Sequence, residues 1–142
     1  MDFSLTDEQR ALADLAAQIL TDRCKLERLK AIESSDERYD RELWAEFAKA
    51  GLLGAALPEN VGGSGGGFVD ACLLLEQQGR RVAPLPLLPT IVSAAMPLAR
   101  FGSPGQQQRF LPGEASGTTL LTAALTALGA DPRSPVTTAK PD

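Results

Sequence analysis

Residues 58–67 read PENVGGSGGG and run directly into FVDACLLLEQQGRR at 68–81. Five glycines in ten residues ahead of a helical pattern form either a cradle for a phosphate or a turn between packed helices. The choice separates a nucleotide-binding α/β unit from a helical bundle. A dinucleotide fingerprint requires glycines at relative positions one, three and six, following a strand. Counting from Gly63, the third position is Gly65 but the sixth is Phe68; counting from Gly62, the third is Ser64. No Gly-Lys-Ser/Thr follows, and the GLLGAALP run at 51–58 is too weak for the strand of a βα unit. The phosphate reading fails. Glycines also let a chain reverse closely between helices, and that reading predicts a structured turn here.

Helical signals lie on both sides of the turn. Thr6 and Gln9 spell a capping box, with Asp7 and Glu8 suited to a first turn. Leu12, Leu15, Ala16, Ile19 and Leu20 follow at helical spacing, and Leu26, Leu29 and Ile32 extend the stripe until ESSDERYD at 33–40 ends it. In ELWAEFAKAGLL, Leu43, Trp44, Phe47 and Ala48 share one face, with Gly51 as a left-handed terminator. Trp44, flanked by apolar residues three and four positions on, reads as core rather than as a ligand platform. A third helix opens with Phe68, Val69, Cys72 and Leu73 and is expected to close at Gly79. A fourth starts near Pro89 or Thr90 and reaches Arg100, with Gly102 ending it. In SPGQQQRFLP, Ser103 caps a fifth helix, Pro104 takes its first position, Gln106 completes the box, and Pro112 is expected to stop it.

Composition narrows the function. A chain of 142 residues is one domain in size, and a net charge of −4 with 14 basic residues scattered among 18 acidic ones argues against nucleic acid. Histidine is absent, which removes Ser-His-Asp and Cys-His catalysis and the common zinc sites. Cys24 and Cys72 stand apart, with no CxxC spacing, and are expected to be buried thiols in a reducing cytoplasm. Asp2, Asp7 and Glu8 occupy the region where a signal peptide is basic and then apolar. The uncharged stretch VAPLPLLPTIVSAAMPLA at 82–99 is 18 residues long, but its four prolines argue for a buried turn leading into a core helix rather than a membrane span.

TTLLTAALT at 118–126 changes character to threonines and apolar residues that suit a strand, and ALGADPRSPVTTAKPD shows no periodicity. The expected fold is mainly α, about five helices followed by one strand. A lone strand needs a sheet to complete, either from another chain or from a longer parent protein.

FSLTDEQRALADLAAQIL, ELWAEFAKAGLLGAALPENVGGSGGG, LLLEQQGRRVAPLPLLPT, FGSPGQQQRFLP and LTAALTALGADP, in that order, resemble the N-terminal part of the acyl-CoA dehydrogenase family. The resemblance implies a helical N-terminal domain over 1–117 and the start of a middle β-domain over 118–142. It further implies FAD as cofactor, an acyl-CoA substrate converted to a trans-2-enoyl-CoA, homo- or hetero-oligomers of such subunits, and an electron-transferring flavoprotein as partner. The family's flavin-contacting Ala-Leu-Thr run matches Ala124, Leu125 and Thr126, making Leu125 (through its backbone) and Thr126 the candidate cofactor contacts. Leu87, Leu88, Thr90 and Ile91 are candidates for the wall of the acyl tunnel. None of Glu59, Glu76 or Glu114 matches the family's catalytic glutamate, which lies beyond residue 142. Ala127 and Leu128 replace the motif's glutamate and proline, and Asp131-Pro132 replaces a glycine-serine pair that offers hydrogen-bond donors. The departures fit members that work in heteromeric pairs, one subunit keeping the complete flavin site. The resulting alternative is a non-catalytic helical subunit that completes a partner's site.

Overall fold

The computed structural model describes residues 4–124 together with 131, 134 and 138. Its order is α1 (Asp7–Arg23), α2 (Leu26–Glu33), α3 (Arg41–Lys49), a 3-10 turn (Glu59–Val61), α4 (Phe68–Arg81), a π-helical stretch (Leu88–Ala95) continuing into α5 (Met96–Phe101), and α6 (Pro104–Ala115). The helical architecture matches the expected one. The capping boxes at Thr6/Gln9 and Ser103/Gln106 form as the sequence implies, and Gly51 is left-handed at φ +74°.

The structure departs from the sequence reading at several helix ends. The first helix is broken at Cys24, and α2 buries none of its residues, so Leu26 is exposed rather than part of the stripe. Gly79 does not close α4; the helix continues to Arg81 and ends on Val82, itself left-handed at φ 51°. Pro112 does not stop α6, which runs to Ala115. A proline removes one i→i−4 bond, and the burial of Leu111 and Ala115 on either side of it offsets that loss. Residues 118–124 join no helix and no β-ladder, so the strand expected at 118–126 is not formed among the described residues. Its backbone groups have no neighbouring strand to pair with. Cys72 is exposed, because it falls between the inward-facing Ala71 and Leu73, and Cys24 is only half-buried at the helix break.

Two apolar clusters hold the bundle. α1 lies along α4, and Leu20, Trp44, Phe47, Leu53, Leu74 and Ile91 belong to the larger cluster. The smaller one gathers Leu57 and Val61 from the turn, Ala95 from the π-helix, and Leu111 and Ala115 from α6, with Leu121 against its edge. Full burial of a large aliphatic side chain is worth about 1.5–3 kcal/mol, so these clusters rather than surface ion pairs set the stability. No helix among the described residues is long and apolar enough to cross a membrane.

Candidate functional site

The glycine turn folds back on the segment before it. Gly63 N–H donates to the Pro58 carbonyl (3.0 Å), Ser64 to Gly54 (3.0 Å), Gly65 to Leu57 (2.8 Å) and Gly66 to Ala55 (3.1 Å). Gly62 donates to Glu59 (3.0 Å), and Gly67 donates to the Asp70 carboxylate (2.8 Å) at the start of α4. Every amide from 62 to 67 is therefore committed inside the protein. A phosphate cradle needs such amides free, so this turn is a structural reversal and not an anion or flavin-phosphate site.

What the turn builds is one wall of a cleft of about 900 Å³. Pro58, Glu59, Gly65 and Gly66 stand on one side; Val92, Met96 and Pro97 stand on the other, with Phe68 and the 78% exposed Phe101 at the edges. The cleft is mostly apolar, and its charged groups are Glu59 and Arg100, whose guanidinium lies 5.3 Å from the Phe101 ring centroid. A second cleft of about 550 Å³ opens on the other side of α5, between Ser93, Phe110 and residues 121–123; Pro97 and Phe101 line both. The helix dividing them is irregular. Met96 N–H donates to the Ile91 carbonyl five residues back, and Pro97 has no N–H to continue that register.

The structure separates the residues expected at the tunnel wall. Leu87 and Ile91 are buried in the larger cluster and Thr90 is buried beside them, whereas Leu88 is 53% exposed. Neither cleft is lined by any of the four. Val92 and Met96, at four-residue spacing from Leu88, are the residues that reach the larger cleft, and sequence reasoning missed them. The spacing was available as a signal; the π-helical register that orients this face was not. Leu125 and Thr126 lie outside the described residues.

Of the three glutamates, Glu59 sits at the cleft and Glu76 is held by Arg80 at 2.6 Å on the exposed side of α4. Glu114 is fully buried, and neither carboxylate oxygen has a hydrogen-bond partner. Burial pushes its pKa up to about 7. Sequence reading ended α6 at Pro112 and so placed Glu114 outside the helix; the continued helix turns it inward beside Leu111 and Ala115. Among the described residues no cluster of three or more His, Cys, Asp or Glu side chains could hold a metal ion.

The described residues thus form an all-helical lobe whose mostly apolar cleft carries Glu59 and Arg100 as its charged side chains. Residues 6–118 match the family described as "Acyl-CoA dehydrogenase, N-terminal domain". The chain is 38% identical over 125 residues to the acyl-CoA dehydrogenase FadE27 of Mycobacterium tuberculosis, covering 88% of this chain and 34% of that protein. It is 34% identical over 131 residues to FadE28 of the same organism, covering 92% and 33%. Among solved structures it resembles a variant of the Tcur3481–Tcur3483 steroid ACAD (TM-score 0.82, 50% identity, 87% of this chain and 34% of that one). It also resembles the ChsE4–ChsE5 complex of Mycobacterium tuberculosis (TM-score 0.85, 37% identity, 92% and 36%). The chain belongs to the acyl-CoA dehydrogenase family. It spans about a third of the length of the curated relatives it matches.

Proposed function

We propose that this chain is the N-terminal helical part of a flavin-dependent acyl-CoA dehydrogenase, which oxidises an acyl-CoA thioester to the trans-2-enoyl-CoA in the cytoplasm. Residues 1–117 form its helical domain and 118–142 lead into the β-domain. The family match over residues 6–118 carries this reading, and the apolar cleft between the glycine turn and residues 92–101 supports it. FAD, when bound, accepts the β-hydrogen as hydride. The α-proton goes to a glutamate that the family resemblance places outside this chain. The residues here exclude water from the acyl chain and orient it; Val92 and Met96 line the cleft, and the exposed Leu88, four residues before Val92, extends that apolar face beyond it. Leu125 and Thr126 contact the flavin. Electrons leave through an electron-transferring flavoprotein.

The second reading is a helical subunit that completes a partner's site within a hetero-oligomer. Ala127, Leu128, Asp131 and Pro132 favour it, because they stand where the family motif offers groups to the flavin. The two-component relatives also support it. Purification of the native gene product alone and with a co-expressed neighbouring acyl-CoA dehydrogenase subunit separates the two. A yellow, active homomer supports the first reading. A colourless chain that turns over acyl-CoA only in the pair supports the second. Absence of flavin and of activity in both preparations sinks both.

A further inference from the structure

Glu114 is a carboxyl group enclosed in the core with 0% exposure, and neither of its oxygens is hydrogen-bonded. An unpaired ion in such surroundings is strongly disfavoured, so the group folds in its neutral form. The chain around it forms a knot of main-chain contacts. The Gly113 carbonyl accepts from the Thr119 N–H (2.9 Å) and from the hydroxyls of Ser116 (3.2 Å) and Thr118 (3.1 Å). The Gly117 carbonyl accepts from the indole Nε1–H of Trp44 (3.0 Å). These bonds fasten Gly117, Thr118 and Thr119 to α6 and α3, and Leu121 packs against the smaller cluster.

We propose that Glu114 is a proton-operated latch. Uncharged, it lets α6 seat against the 3-10 turn and the helix of residues 88–101 and holds residues 118–124 in place; ionised, it draws water under α6 and loosens that segment. Among the described residues no charged group on the packed elements offsets the ion. Glu59 on the 3-10 turn, Arg100 on α5, Arg109 on α6 and Lys49 on α3 are exposed, and Glu46 is held by Arg23 at 2.7 Å. Burial is the one cause that displaces the titration of Glu114, and it places the midpoint at about 7.

Two features make the proposal testable. The chain contains no histidine, so no other side chain with an ordinary pKa titrates between about pH 5 and 8. Its single tryptophan is Trp44, which reports directly on Gly117. Tryptophan emission of the 142-residue protein is expected to move to longer wavelength as pH rises, following a one-proton curve centred at about 7. Amide exchange at Gly117 and Thr119 should accelerate over the same range, beyond its intrinsic pH dependence. Glu114→Gln and Glu114→Leu should abolish the transition, with Glu114→Leu keeping the short-wavelength emission and slow exchange throughout. Three outcomes overturn the latch: a transition that persists in both variants, as titration of the terminal amine would give; a wild-type chain whose emission ignores pH; or a Glu114→Leu chain that fails to fold at acidic pH.

Discussion

The Arg28 guanidinium grips the Asp40 carboxylate with two bonds, Nε to Oδ2 at 2.7 Å and Nη2 to Oδ1 at 2.8 Å. Asp40 also caps α3, accepting from the N–H groups of Glu42 and Leu43 at 3.1 Å. One buried carboxylate thus ties α2, which buries nothing of its own, to the start of α3. Asp40→Ala is expected to cost about 2–3 kcal/mol, the sum of a lost cap and a broken, half-exposed pair. The bond from Arg28, followed by the two N-cap bonds against the opposing effect of burial, holds the Asp40 pKa below its usual 3.8. A depressed folded-state pKa gives stability that is present above 3.8 and is lost as pH falls through the folded value. Thermal unfolding below about pH 4 should therefore depend less on pH in Asp40→Asn than in wild type.

Gly63 and Gly79 are both glycines beside or within helices, yet their substitutions should act in opposite directions. A Cβ on Gly63 would lie 2.1 Å from the Leu57 carbonyl oxygen, an atom of the backbone that cannot rotate away. Gly63→Ala should therefore destabilise by about 3 kcal/mol or more and open the turn that walls the larger cleft. Gly79 is exposed inside α4, and a Cβ there meets nothing within 4 Å. Gly79→Ala should stabilise by about 1 kcal/mol through helix propensity. Urea unfolding of the two variants checks both signs, and a neutral Gly63→Ala would contradict the close approach.

Residues whose local signal agreed with their packing were legible in sequence. Thr6, Gln9, Ser103 and Gln106 specify their caps without help from the rest of the chain, and the stripe through Leu43, Trp44 and Phe47 can only face a core. Propensity misled where burial overrode it. Pro112 is a helix breaker in isolation, but Leu111 and Ala115 hold the helix around it, and that carried Glu114 into the interior. The site suffered most from helical register. Leu87, Thr90 and Ile91 are buried and Leu88 is exposed, an i, i+3, i+4 pattern that becomes visible only when the helical turn is begun at Leu87 rather than near Pro89 or Thr90.

Val82 closes α4 in the left-handed conformation at φ 51°, although it is β-branched and 77% exposed. The turn is kept by its surroundings: the Gln78 side chain donates to the carbonyls of Ala83 (3.1 Å) and Leu85 (2.6 Å), directing the chain into the proline run. Left-handed backbone costs an ordinary residue about 1–2 kcal/mol, and glycine avoids that cost. Val82→Gly should raise the unfolding midpoint by an amount equivalent to about 1 kcal/mol, since little packing is lost. Val82→Ile should leave it near wild type.

Leu87 and Leu88 are adjacent, 1% and 53% exposed, and they separate the stability of the bundle from the proposed lining of the acyl tunnel. Leu87→Ala empties a packed site and should cost about 2–5 kcal/mol, with any loss of activity following loss of fold. Leu88→Ala removes little buried surface and should change stability by about 0.5 kcal/mol or less. Leu88 shares its four-residue spacing with Val92 and Met96 at the cleft wall, so shortening it should weaken contact with a long or bulky acyl group in both ground and transition states. The expected kinetic signature in the co-expressed enzyme is a raised KM for such acyl-CoAs with kcat unchanged, and no effect on a short one. A Leu88→Ala enzyme whose KM stays at the wild-type value for every chain length would remove Leu88 from the tunnel and leave Val92 and Met96 to be tested in the same way.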